Sequence, residues 1–136
     1  MYLFDTNTIS YLFRSEGGVA ARLSLVAPSK VSVPAPVLYE SFAGIGRLPD
    51  GARRQALNTS LERLVATTKI LPFDENSAHA AAQIRLELES RGALMGAIDI
   101  QIAGIAMAID RTLVSRNIRK FGRVPGLRVE NWFLPA

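Results

Sequence analysis

The 136-residue chain has no cysteine and a single histidine. Without cysteine it has no disulfide framework, no thiolate metal site and no cysteine nucleophile. His79 alone cannot provide a two-histidine acid–base pair, and a histidine-based zinc site would lack partners. It reads as a structural or solvated residue. The sequence also lacks a Walker-type glycine loop, a GxGxxG fingerprint, internal repeats and low-complexity segments. Gly17-Gly18 and Gly44-x-Gly46 read as a loop and helix ends. The most apolar stretch, Ala97 to Ile109, is too short to span a bilayer and carries Asp99. Met1-Tyr2-Leu3-Phe4 has no basic flank, and Asp5 interrupts it too early for a signal peptide. A cytoplasmic protein with no membrane association is the expectation.

What is present fits one globular domain spanning residues 1–136. The apolar fraction of 49% suffices for a real core. Sixteen basic against twelve acidic residues give a net charge of +4, which favours an anionic partner without demanding one. Thirteen of the sixteen are arginine, the side chain suited to bidentate phosphate contact.

The chain alternates strand and helix patterns. Met1–Phe4 reads as a buried strand running into Asp5 and two helix-starting residues. Helical patterns cover 6–14, 19–26, 37–45, 52–66, 75–90 and 97–109. Further strands are expected at 30–33, 69–73, 112–115 and 127–130, with a basic turn at 116–123. This order predicts an α/β protein, a three-layer α/β/α sandwich around a central parallel β-sheet.

With cysteine absent and histidine nearly so, the chemistry falls to carboxylates. Asp5 follows strand one, Glu40 lies early in the helix after strand two, and Asp99 opens the apolar helix. Each has an ordinary structural explanation. Asp5 and Asp99 could cap helices, and Glu40 could be a first-turn acid complementing the helix dipole. Together they deliver three acids toward the carboxyl edge of one sheet, where ligands gather in open α/β folds. Acids so placed repel one another unless a cation sits among them, and oxygen ligands suit Mg²⁺ or Mn²⁺. A basic protein with an acidic metal pocket is a plausible phosphodiesterase.

These residues also carry a family resemblance. Leu3-Phe4-Asp5-Thr6-Asn7, Val37-Leu38-Tyr39-Glu40 and Ile98-Asp99-Ile100-Gln101-Ile102-Ala103 resemble the three acidic motifs of PIN-domain nucleases. Leu113-Val114-Ser115-Arg116-Asn117 with Phe121, followed by Val124-Pro125-Gly126-Leu127-Arg128-Val129-Glu130-Asn131-Trp132, looks like the end of the VapC toxins within that family. The resemblance covers essentially the whole chain in motif order. It implies a PIN-like fold and Mg²⁺- or Mn²⁺-dependent endoribonuclease activity on structured RNA, tRNA or ribosomal RNA. It also implies a co-expressed VapB-like antitoxin and a homodimer.

By matching motif, Asp5, Glu40 and Asp99 would hold the metal and, with Asn117, form the catalytic set. Hydrolysis by metal-activated water would leave a 5′-phosphate and a 3′-hydroxyl. Many relatives have aspartate where this chain has Asn117. The amide adds no charge, which favours one strongly held metal over two. Ser115 reads as a buried strand-end hydroxyl.

Arg116, Arg119, Lys120 and Arg123 form the densest basic cluster and could hold an RNA backbone or be a solvated turn. Tyr11, Leu12 and Phe13 could face the core or an antitoxin segment. The alternatives are a catalytically weak PIN-like module acting through an antitoxin and DNA-binding complex, and a small-molecule phosphatase. The latter lacks a phosphate-cradling glycine loop.

Overall fold

The computed structural model of the chain describes residues 1–135. The first strand, β1 (Tyr2–Phe4), lies at the centre of the sheet. It is followed by helices α1 (Thr6–Phe13) and α2 (Val19–Ser24), strand β2 (Val31–Pro34), and helices α3 (Ala35–Gly46) and α4 (Ala52–Thr67). Strand β3 (Lys69–Leu71), helices α5 (Glu75–Ser90) and α6 (Ala97–Ala108), strand β4 (Thr112–Val114), helix α7 (Ile118–Phe121) and strand β5 (Val129–Glu130) complete the chain. The sheet order is β3-β2-β1-β4-β5 and every pairing is parallel. Helices cover the sheet as an α/β/α sandwich, so the strands are apolar runs rather than alternating patterns. Leu3, Phe4, Val31, Val33, Leu113 and Val114 are all buried.

The helix boundaries follow local chemistry. Asp5 and Asp74 each accept a hydrogen bond from the backbone N–H three residues on, from Thr8 and Ser77, and so cap α1 and α5. Pro36 sits in the first turn of α3, where its missing N–H is not needed. That helix begins at Ala35, two residues before the expected start. Glu40 therefore lies in its second turn, beyond a first-turn dipole role. Asp99 is in the first turn of α6 but does not cap it, because Gly96 holds the cap position. The basic turn expected at 116–123 contains the single helical turn α7.

Helix α6 runs between layers. Ile100 and Ile102 to Ala106 are buried, and the helix packs closely on α5 at Gly104. A Cβ there would lie 2.7 Å from Ala81 Cβ and 2.8 Å from the Ser77 carbonyl.

The C-terminal segment folds back on the first strand. Trp132 meets Tyr2 and Phe4 edge-on, at centroid separations of 4.9 and 5.4 Å. Gly17 and Gly18 are the seat of this segment. The Gly18 N–H donates to the Phe133 carbonyl at 2.8 Å, and a Cβ on Gly17 would come within 2.6 Å of the Phe133 ring.

Candidate active site

Asp5 follows β1 and Glu40 lies on the helix after β2, while Asp99 opens α6 and meets Lys120 of α7, the helical turn after β4. Asp5 leaves β1, the middle strand, and is buried. Its Oδ1 accepts from the Thr8 N–H at 2.8 Å and from the Thr8 hydroxyl at 2.6 Å. That hydroxyl also lies 2.9 Å from the Val114 carbonyl, so one proton is shared between Asp5 and the end of β4. Asp5 N–H donates to the same carbonyl at 3.2 Å. The capping explanation of Asp5 therefore holds in the structure.

Glu40 comes from α3. Its Oε1 accepts from the Thr6 hydroxyl at 2.6 Å, which ties the second acid to the residue after the first. Asp99 comes from α6 and is paired with Lys120, whose Nζ lies 2.9 Å from Asp99 Oδ2. Asn117 caps α7, its Oδ1 accepting from the Lys120 N–H at 3.0 Å. The Asn117 N–H in turn donates to Ser115 Oγ at 3.0 Å, and Ser115 is wholly buried at the end of β4. Ser115 therefore orients the Asn117 turn from within the core.

Glu40 is thus bonded to Thr6, the residue after Asp5, and Asp99 is linked to Asn117 through Lys120. Among the described residues, no three His, Cys, Asp or Glu side chains are grouped so as to hold a metal ion as they stand. The physical reason is visible in the partners, since each acid is held by a neighbour of its own. One oxygen of each is nevertheless free of protein hydrogen bonds: Asp5 Oδ2, Glu40 Oε2 and Asp99 Oδ1. These are hard oxygen donors of the kind Mg²⁺ and Mn²⁺ take, and the ammonium against Asp99 shows that the pocket accommodates a cation. In chemical type, though not as grouped in this structure, these oxygens suit a divalent ion.

The basic cluster divides on inspection. The Arg116 guanidinium stacks over the Phe133 ring, 3.7 Å from its centroid, and lies 5.5 Å from that of Tyr11. Arg119 and Arg123 are exposed, whereas Lys120 is turned inward to Asp99. His79 is exposed on α5, away from these contacts. Tyr11, Leu12 and Phe13 of α1 all pack against the core; Tyr11 also meets Phe133 edge-on at 4.9 Å, and Phe13 also lines a cleft of about 290 Å³ between α1, α3 and α4. Thr6 and Glu40 lie at that cleft, and the Ser41 hydroxyl in its wall is buried without a hydrogen-bond partner.

Sequence reasoning missed Thr6, Thr8 and Phe133. Threonines one and three residues after Asp5 are a legible signal for hydroxyl bonds at a helix start. No local pattern announces that Phe133 meets Arg116, because their approach depends on the return of the C-terminal segment.

No helix among the described residues is long and apolar enough to cross a membrane. Residues 2–127 match the family described as PIN domain. Ribonuclease VapC2 of Haemophilus influenzae is 31% identical over 132 residues, covering 96% of this chain and 97% of that relative. The tRNA(fMet)-specific endonuclease VapC of Salmonella typhimurium is 28% identical, with coverage of 96% and 97%. Among solved structures, VapBC2 from Rickettsia felis bound to a DNA fragment from its promoter superposes with a TM-score of 0.86. It is 28% identical, over 96% of this chain and 98% of the matched chain.

Proposed function

The chain belongs to the PIN-domain family and within it to the VapC ribonucleases, and from that premise we propose that it is the toxin of a VapBC-type pair, an endoribonuclease hydrolysing RNA phosphodiester bonds. The observation that supports the reading is that Asp5, Glu40 and Asp99 each keep, among the described residues, one carboxylate oxygen without a protein hydrogen bond, Asp5 and Glu40 beside the ends of β1 and β2 and Asp99 against the turn after β4. Asp5 Oδ2, Glu40 Oε2 and Asp99 Oδ1 would hold Mg²⁺ or Mn²⁺. When bound, such an ion supplies charge neutralisation at the phosphate and makes water a competent nucleophile at neutral pH.

The chain's own residues do the positioning. Thr8 fixes the Asp5 carboxylate, and Thr6 orients Glu40 toward it. The Asn117 side-chain NH₂ makes no protein hydrogen bond and is available to donate to a water or a phosphate oxygen. Arg116, Arg119 and Arg123 present cations for the RNA backbone beside the acids. In the hydrolysis a water oxygen bonds to phosphorus, and the 3′-oxygen leaves and takes a proton. The products are a 5′-phosphate and a 3′-hydroxyl. Structured RNA such as tRNA is the substrate class this reading favours, and the cytoplasm is the place of action.

The partner is a VapB-like antitoxin. The cleft between α1, α3 and α4 opens beside the Thr6–Glu40 bond, so a segment laid there would cover Glu40. Tyr39 and Phe42, exposed on α3, offer an apolar surface to a second copy in a homodimer.

Cleavage of total bacterial RNA by the purified, antitoxin-free chain tests the nuclease reading. Wild type and Asp99→Asn are compared with Mn²⁺, with Mg²⁺ and with a chelator. Discrete fragments bearing 5′-phosphates are expected, lost both in the variant and under chelation. Absence of cleavage by folded, metal-supplied wild type on total RNA and intact tRNAs would overturn it. A role exerted mainly through an antitoxin and DNA complex would then lead.

A further inference from the structure

Of Arg116, Arg119, Lys120 and Arg123, Lys120 alone is turned to an acid. Its ammonium and the Asp99 carboxylate are 2.9 Å apart, and the two side chains are only 27% and 28% exposed. The placement is fixed from the core outward. Buried Ser115 holds the Asn117 N–H, and Asn117 Oδ1 holds the Lys120 N–H. The Lys120 Nζ also rests 4.9 Å from the centroid of the Phe121 ring, itself fully buried. A surface lysine that merely happened to reach an acid would have neither constraint.

The ammonium occupies one of the two oxygens of Asp99, and a dication entering the same pocket meets it as a like charge. If Asp5, Glu40 and Asp99 close on one ion as the metal reading requires, three carboxylates and one ammonium give a formal charge of minus two, which one divalent ion neutralises and two would exceed. We propose that Lys120 is a built-in competitor for the metal at Asp99, holding the site to a single, weakened divalent ion. The inference rests on the metal-dependent reading above and assigns to Lys120 a positioning role distinct from RNA contact. It also gives Asn117 a purpose: its amide anchors the turn that aims the lysine.

Calorimetric titration of Mn²⁺ into the metal-free full chain tests it, with the ion count read independently by electron paramagnetic resonance. Wild type, Lys120→Met, Lys120→Gln, Lys120→Arg and Asp5→Asn are compared, each checked for folding by its melting curve. Wild type should bind one ion. Both neutral variants should bind Mn²⁺ about tenfold more tightly, the equivalent of about 1.4 kcal/mol. Lys120→Arg, which keeps the charge, should resemble wild type.

Two neutral variants guard against one failing to fold. Unchanged affinity in the folded neutral variants, equal tightening in Lys120→Arg, or two ions in wild type would each overturn the inference. If Mn²⁺ binds wild type, is lost in Asp5→Asn and is indifferent to Lys120, the competitor role alone falls. If no folded form binds Mn²⁺, the metal reading falls and the inference with it.

Discussion

The Thr6 hydroxyl donates to Glu40 Oε1 at 2.6 Å across 34 residues of sequence, joining the start of α1 to the second turn of α3. The bond is short and its acceptor is charged, the class worth about 1.5–3 kcal/mol. Its effect falls on the orientation of Glu40 more than on the fold, because both side chains are only half-buried. Thr6→Val should lower the RNA cleavage rate by about tenfold, which corresponds to roughly 1.4 kcal/mol of barrier, with little change in melting temperature. Thr6→Ser should recover most of the rate. Parallel loss of rate and melting temperature would show that Thr6 acts only through packing.

At Gly104 the close approach of two helices can be tested. Any Cβ there lies 2.7 Å from Ala81 Cβ and 2.8 Å from the Ser77 carbonyl, so α5 and α6 must move apart to admit it. Gly104→Ala gains helix propensity but overpacks a buried interface, at a net cost of about 1–3 kcal/mol. The melting temperature should fall by several degrees. A paired Ala81→Gly should restore much of the loss, since it removes the first atom met.

Most of the framework was legible because its signals are local. The apolar run into Asp5, the proline at the start of α3, the cap at Asp74 and the all-round apolar helix at 97–108 each follow from a few adjacent residues. The positions of Asp5 after β1 and of Asp99 in the first turn of α6 are legible for the same reason. What escaped was contact between distant segments. Lys120 was grouped with Arg116 and Arg119 as an RNA contact by proximity in sequence, yet its charge is engaged by Asp99, 21 residues away. Gly17 and Gly18 read as a loop, and only the returning C-terminal segment shows that Gly17 leaves room for Phe133 and Gly18 for the backbone carbonyls of Trp132 and Leu134. Glu40 moved by half a turn in meaning because the helix starts at Ala35, ahead of a proline that tolerates either start.

Asp74 offers a pH-dependent contribution to stability. The Ser77 backbone N–H, and then its hydroxyl, donate to the carboxylate and hold its pKa below the usual value. A carboxyl with a lower pKa in the folded than in the unfolded chain stabilises the fold above its unfolded pKa. That contribution is lost as pH falls through the folded pKa. Wild type should therefore melt above Asp74→Ala at neutral pH, and the gap should narrow as pH drops below the ordinary carboxylate range. A gap independent of pH across that window would assign the effect to the geometry of the cap rather than its charge.

Arg116 is held where its charge can be used. Its guanidinium lies 3.7 Å from the Phe133 centroid, Nη1 reaches the Tyr11 hydroxyl at 3.4 Å, and Tyr11 and Phe133 pack edge-on against each other. Among the described residues no carboxylate pairs with it, so the aromatic pair orients the cation without consuming its charge. If the proposed RNA contact holds, that charge is on offer to a phosphate beside Asn117. Removing one phosphate contact from a single strand makes the dependence of log affinity on log salt shallower by about 0.7. Arg116→Ala should weaken RNA binding and show that change of slope. Phe133→Leu keeps the charge but frees it, and should weaken binding less, with the slope nearly intact. Measuring both variants across a salt series separates the two effects. An unchanged slope in Arg116→Ala would mean that the guanidinium serves to fasten the C-terminal segment to α1, and its melting temperature, not its RNA affinity, would carry the loss.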